Sequence, residues 1–500
     1  MLVVVAAPWL LGLAHPFQYD DLGMIAENAF LEDSANLGTV LAGRTLADPR
    51  VLNGRRPVVL ASYFMDRAWH GLEPAGWRAT NLLLHLGCVA LWMGLLWRLT
   101  GARFLAAGAG VLFGLHPAAS EAVHAPGFRA DVLCLLFSLA FLHLFLGAGK
   151  RRTLARGGGL VCLALALLSK ETAVAAPLAL GAIVWLFPEA FPAGRRAGWA
   201  WLASAGGMAA GFFGLWAGLP ADLQAVGGAW NGESLRFPET VLSAPALWTR
   251  GLRLLLVPWP LNVAPGFDPV ESALSLRFAA GVGWLAVCGI GAWRARRAAP
   301  EVALGLAWML AFFLPVANLW PLLHPVADRY LYPLAAGFAL GAAWILARQA
   351  RGARTLGLAA LAATYALLLA LRLQQWATPE KLWSAAYFQN PGSATAATWL
   401  GLLREEAGDA EGARAFYQAA VAANPQAVPA WINWGVLEGK GGRWEESERL
   451  LRRAVEIGPR NATGWQNLAV CLRGQGRAAE AAVAAARAAE LQGGYGSAKP

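Results

Sequence analysis

TNLLLHLGCVALWMGLLW, residues 80–97, carries no charge and is apolar throughout apart from Thr80, Asn81 and His85. At 1.5 Å per residue such a helix is about 27 Å long, close to the thickness of a bilayer's hydrocarbon core. Working outward, comparable runs occupy about 2–15, 104–117, 131–148, 158–169, 172–187, 198–217, 277–293, 301–317, 331–347 and 356–372. With 57% apolar residues, 14% charged and a mean hydropathy of +0.45, the chain is too apolar for a soluble enzyme of this length. Long apolar runs end near Leu373, and 373–500 reads as ordinary soluble sequence. The expectation is therefore an all-α protein: a polytopic transmembrane bundle of about 11 spans over 1–372, then a soluble helical region. The first span is short and lacks a basic leader, as a truncated start or a signal-like segment would.

The formal charge of +10 comes from 41 Lys and Arg against 31 Asp and Glu. A nucleic-acid binder would gather these cations into one patch. Here they sit in short turns between alternate apolar runs: Arg98/Arg103, Lys150/Arg151/Arg152/Arg156, Arg195/Arg196, Arg294/Arg296/Arg297 and Arg348/Arg351/Arg354. Alternating spans put all five turns on one side, which the charge bias makes cytoplasmic. Counting the apolar segment 244–258 as a crossing would break that pattern, so it reads as re-entrant or interfacial. The cysteines (Cys88, Cys134, Cys162, Cys288, Cys471) have neither disulfide nor zinc spacing and read as small apolar residues.

The soluble part is periodic. Pro391, Pro425 and Pro459 are spaced by 34 residues, as are Gly408, Gly442 and Gly476, and Ala420, Ala454 and Ala488. A helix–turn–helix unit of this period, with Gly at the turn and Pro after the second helix, resembles the tetratricopeptide repeat. About three repeats occupy 393–492, preceded by a degenerate half-repeat at 373–392 and followed by a disordered tail at 493–500. Such repeats stack into a solenoid whose concave face binds peptides or extended chains.

Polar residues cluster at the non-cytoplasmic ends of the spans. The first outer loop, 16–79, opens with Tyr19-Asp20-Asp21. Adjacent carboxylates raise one another's pKa, as suits a general base or a cation site, although on local sequence alone a helix cap or solvated turn is the better reading. His116 and Glu121, Arg129 and Asp131, Lys170 and Glu171, and Asp328, Arg329 and Tyr330 lie at further outer edges. Pairing of each acid with a nearby base is the plain alternative; shared sidedness points instead to the rim of one polar cavity.

In chain order stand the acidic pair, Arg56-Pro57, Asn81 and His85, HPAASEAV (116–123), FRADVL (128–133), LLSKE (167–171), DRYLYP (328–333) and the repeats. This succession resembles the transmembrane-and-tetratricopeptide-repeat O-mannosyltransferases, and more broadly the multi-span GT-C type glycosyltransferases that use polyprenyl-phosphate sugars. Ala119 stands where the family often has a second His, and Phe128 where a Gly precedes the Arg. The resemblance implies an inverting transferase moving mannose or a similar hexose from a polyprenyl-phosphate donor to Ser/Thr hydroxyls of exported proteins. Asp20 or Asp21 would be the base, with Arg129, Lys170, Arg329 and His116 toward the donor phosphate. Glu121, Asp131, Glu171, Asp328 and Tyr330 would orient those groups or contact the sugar, with Arg56, Asn81 and His85 as further site residues. No metal is expected to be required; Asp20 and Asp21 are the pair that would hold Mg or Mn. The partners expected are the lipid-linked sugar, membrane lipids and a protein on the repeats. The expected place is the inner membrane of a bacterium with the repeats in the periplasm, or the ER membrane in a eukaryote. The alternatives are a non-catalytic membrane-anchored repeat scaffold and a transferase acting on lipid or cell-wall glycan.

Overall fold

The computed structural model describes residues 1–48, 51–147, 152–190, 194–217, 237–319, 322 and 324–493. Every regular element among them is helical. The apolar runs become α1 (Leu2–Trp9), α4 (Pro74–Thr100), α5 (Arg103–Leu115), α7 (Arg129–Phe145), α8 (Arg152–Leu167), α9 (Ala175–Leu186), α10 (Gly194–Ala217), α12 (Leu276–Ala298), α13 (Pro300–Phe313), α14 (Leu331–Ala347) and α15 (Arg351–Gln375). Shorter pieces of the first outer loop form α2 (Asn36–Leu41) and α3 (Pro57–His70), and α6 (Ser120–His124) links α5 to α7.

Five described helices are long and apolar enough to cross a bilayer, and six shorter apolar ones accompany them. On α12, Val282, Trp284, Val287, Ile290 and Trp293 are exposed. A flank this apolar matches lipid better than water, and the chain is an integral membrane protein. Where α13 crosses α14, backbones meet directly: a Cβ on Gly337 would lie 2.6 Å from the Gly305 carbonyl oxygen. Small residues of this kind let membrane helices approach without side chains between them.

The basic turns gather at one end of the bundle. Arg98, closing α4, donates to the carbonyl of His143 near the end of α7 at 3.1 Å. Phe145 meets Trp201 of α10 at 5.7 Å, and Arg156 lies over the same indole. Trp185 of α9 stacks on Trp293 of α12 at 5.8 Å, and Arg354 lies over Phe104 at 4.8 Å. Lys150 and Arg151 lie outside the described residues, as do the side chains of Arg152, Arg195 and Arg196. The segment expected to be re-entrant is α11 (Glu239–Leu256). Ser243 near its start accepts from the Val270 N–H at 2.9 Å, while Leu255 near its end accepts from His116 at 3.0 Å. Both anchors lie at the end of the bundle opposite the basic turns.

Beyond α15 the chain forms α16 (Pro379–Gln389), α17 (Ala394–Glu406), α18 (Ala410–Ala423), α19 (Val428–Lys440), α20 (Trp444–Ile457), α21 (Ala462–Gly474) and α22 (Ala478–Gly493). Gly408, Gly442 and Gly476 turn each helix pair with φ of 80°, 74° and 77°, the left-handed region that a side chain disfavours. The repeat is exact in its bonding too: Trp431 donates to the Pro425 carbonyl at 3.0 Å and Trp465 to that of Pro459 at 2.9 Å. From residue 494 onward, the tail expected to be disordered lies outside the described residues.

Candidate active site

At the end opposite the basic turns, the acids pair across the sequence rather than with their neighbours. Glu121 pairs with Arg329 at 2.5 Å, Asp131 with Lys170 at 2.6 Å, Glu171 with Arg56 at 3.1 Å and Asp328 with Arg250 at 2.9 Å. Local pairing would have left four separate clusters. Cross-pairing instead ties the α3, α6, α7, α9, α11 and α14 ends together. The Tyr330 ring lies between two of the pairs, 5.3 Å from the Lys170 ammonium and 5.4 Å from the Arg329 guanidinium. Its hydroxyl donates to the His324 carbonyl at 3.0 Å.

The acidic pair divides. Asp21 is fully buried; one oxygen accepts from the Gly127 N–H at 2.7 Å, and the other lies 3.8 Å from Arg78. Burial pushes its carboxyl up to about 7, against the pull of Arg78. Asp20 is half-buried and, among the described residues, makes no side-chain hydrogen bond or ion pair. Burial raises its pKa too, while the nearby Arg329 lowers it. Asp20 is thus the acid of the cluster with its oxygens uncommitted.

A dry layer lies beneath. Arg129 and Asp66 form an ion pair with side chains 0% and 1% exposed, whereas Arg56 and Glu171 are 31% and 24% exposed. Arg129 also donates to Asn81 at 2.6 Å, to the Ser62 carbonyl and hydroxyl at 3.2 and 3.3 Å, and to the Trp77 carbonyl at 3.2 Å. Those acceptors match its five N–H groups, so it has none left for a phosphate. His116 is likewise committed: Nδ1 accepts from the Ala118 N–H at 3.2 Å and Nε2 donates to Leu255. Asn81 donates to the Val123 carbonyl at 3.2 Å, and His85 bonds to Tyr332 at 2.9 Å and to the Gly114 carbonyl at 3.1 Å. Of these four residues, expected at the site, Arg129, Asn81 and His85 therefore brace α4 against α3, α5, α6, α7 and α14, and His116 ties the end of α5 to α11. No group of three or more potential metal-ligating side chains occurs among the described residues.

Three participants escaped the sequence reading: Asp66, Arg78 and Arg250. Arg250 carried a signal, a cation inside the apolar segment 244–258. Asp66 and Arg78 lie in or next to an ordinary charged loop, and their partners are distant in sequence.

Tetratricopeptide repeat is the family matching residues 366–428 and 432–496. Protein O-mannosyl-transferase Tmtc1 of Drosophila melanogaster is 33% identical over 177 residues, covering 33% of this chain and 20% of that protein. Over that stretch the chain is similar to the Tmtc protein O-mannosyl-transferases. Tmtc2 of the same organism is 30% identical over 174 residues, or 32% of this chain and 19% of Tmtc2. Each alignment therefore spans about a fifth of the Tmtc protein's length. Among solved structures, ArnT from Cupriavidus metallidurans bound to undecaprenyl phosphate aligns over 92% of this chain and 79% of ArnT, with a TM-score of 0.38 and 17% identity.

Proposed function

We propose that this protein is a membrane glycosyltransferase moving mannose or a similar hexose from a polyprenyl-phosphate donor to Ser/Thr hydroxyls of exported proteins, with inversion. The basic turns then face the cytoplasm, and the site and repeats face the periplasm or ER lumen. The observation carrying the reading is Asp20: an uncommitted, half-buried carboxylate beside a cation, amid acids that are all paired. Asp20 takes the proton of the acceptor hydroxyl as its oxygen bonds to the sugar's anomeric carbon. The bond from that carbon to the phosphate oxygen breaks, and polyprenyl phosphate departs as an anion. Arg329 and Lys170 stabilise the charge gathering on it, with Arg56 and Arg250 at the rim. Glu121, Asp131, Glu171 and Asp328 hold these cations in place; Tyr330 spaces two of them.

Asp21, Arg129, Asn81, His85 and His116 support the site without touching the reactants. The leaving phosphate meets cations belonging to the chain, so chelation by EDTA leaves transfer intact in this reading. The names of the Tmtc relatives favour a protein acceptor and mannose. The decisive experiment measures transfer of labelled mannose from polyprenyl-phosphate mannose to a Ser/Thr-rich peptide, by wild type and by Asp20→Asn. Loss of label in the variant is expected; equal label in both overturns the mechanism.

A further inference from the structure

Aromatic rings connect the repeat domain to both the base and the cation of the site. Trp399 of α17 stacks on Trp383 of α16, with centroids 5.2 Å apart and planes within 6°. Trp383 meets Tyr19 edge-on at 5.2 Å, and Tyr19 meets Phe128 at 5.6 Å. Phe128 carries the Arg329 guanidinium on its face at 4.2 Å. Tyr19 precedes Asp20 directly and is held at φ 57°, a left-handed conformation rare for a residue with a bulky side chain. Such a backbone persists where its surroundings enforce it. Here the enforcing groups come partly from the solenoid: Trp383 packs on the ring, and Gln18 donates to the Trp376 carbonyl at 2.5 Å.

The junction is anchored independently. Asn262 donates through its side chain to the Ala386 carbonyl of α16 at 3.1 Å, and its backbone N–H reaches Asp328 at 2.6 Å. One residue thus joins α16 to an acid of the site. Trp376 and Trp383 are fully buried in this junction.

We propose that the first helix of the repeat domain is part of the active-site framework, with Trp383 a positioning residue that aims Asp20 through Tyr19 and steadies Arg329 through Phe128. The proposal rests on the transferase reading for its kinetics but not for its structural consequence.

The test compares full-length wild type, Trp383→Ala and Trp383→Phe in detergent. In transfer from polyprenyl-phosphate mannose, Trp383→Ala should lower kcat about 10- to 100-fold with KM for the donor unchanged. Its rising pH limb should shift to higher pH, because a carboxylate less well placed against Arg329 ionises less readily; Trp383→Phe should restore both. Hydrogen–deuterium exchange over residues 17–23 should accelerate in Trp383→Ala whether or not transfer occurs. Wild-type kcat and pH profile in a folded Trp383→Ala protein would overturn the proposal, as would unchanged exchange. Wild type that transfers nothing while exchange still accelerates would overturn the transferase reading and leave the positioning contact standing.

Discussion

Glu121 accepts two bonds from Arg329, one from the guanidinium at 2.5 Å and one from the backbone N–H at 3.1 Å, across 208 residues of sequence. The second bond orients the Asp328–Tyr330 turn itself, so the carboxylate places the cation as well as balancing it. Glu121→Ala leaves a buried guanidinium unpaired and should cost about 3–5 kcal/mol of stability, read by thermal unfolding in detergent. Arg329→Lys keeps the charge but loses the planar fork. Transfer should fall about 100-fold with the protein still folded.

Asp20 and Asp21 are adjacent in sequence but differ in their surroundings, and paired substitutions should separate the roles proposed for them. Asp20→Asn removes the proposed base and should abolish transfer. Asp21→Asn keeps an oxygen for the Gly127 N–H and should retain most activity. The pH dependence follows from burial raising the Asp21 pKa from 3.8 to about 7. The folded state keeps that proton where the unfolded chain has lost it. The stability that Asp21 contributes is therefore fullest below about 4 and declines as pH rises toward 7. Unfolding at pH 5 and pH 8 should show a smaller loss for Asp21→Asn than for wild type; equal losses would contradict the buried, protonated state.

Much of the helical layout was legible because its signals are local: long apolar runs, basic turns and a 34-residue period. The turn glycines at 408, 442 and 476 take the positive φ that their position in the period demanded. The side-chain roles were less legible, because pairing is decided by folding. Arg129 and Arg329 each stand near an acid in the sequence, yet one is sealed in a dry layer by Asp66 and the other lies at the cluster. Nothing local distinguishes them. The split between Asp20 and Asp21 depends on which carboxylate meets Gly127, itself 106 residues away from Asp21.

The glycine crossing of α13 and α14 offers a stability test with an internal control. Gly337→Ala places a Cβ 2.6 Å from the Gly305 carbonyl and forces the helices apart, whereas a Cβ at Gly341 meets nothing within 4 Å. The first substitution should destabilise by about 1–3 kcal/mol. Gly341→Ala should be neutral or stabilise by up to about 1 kcal/mol through helix propensity. Equal melting temperatures for the two variants would contradict the close approach.

Arg129 provides the sharpest contrast between a motif residue and its physical state. It sits in the RADVL stretch beside the cluster, where a cation for the donor phosphate was expected. Its guanidinium is instead shared among Asp66, Asn81, Ser62 and Trp77, fastening α3 to α4 and α7 beneath the site. Lysine at this position has three N–H donors in place of five and no planar fork, and it leaves buried acceptors unmatched. Arg129→Lys should therefore lower stability by several kcal/mol, about 3–5 by analogy with broken buried pairs. KM for the polyprenyl-phosphate donor should be unchanged per folded molecule. A raised KM in a protein of undiminished stability would return Arg129 to the phosphate and require the dry layer to open during turnover.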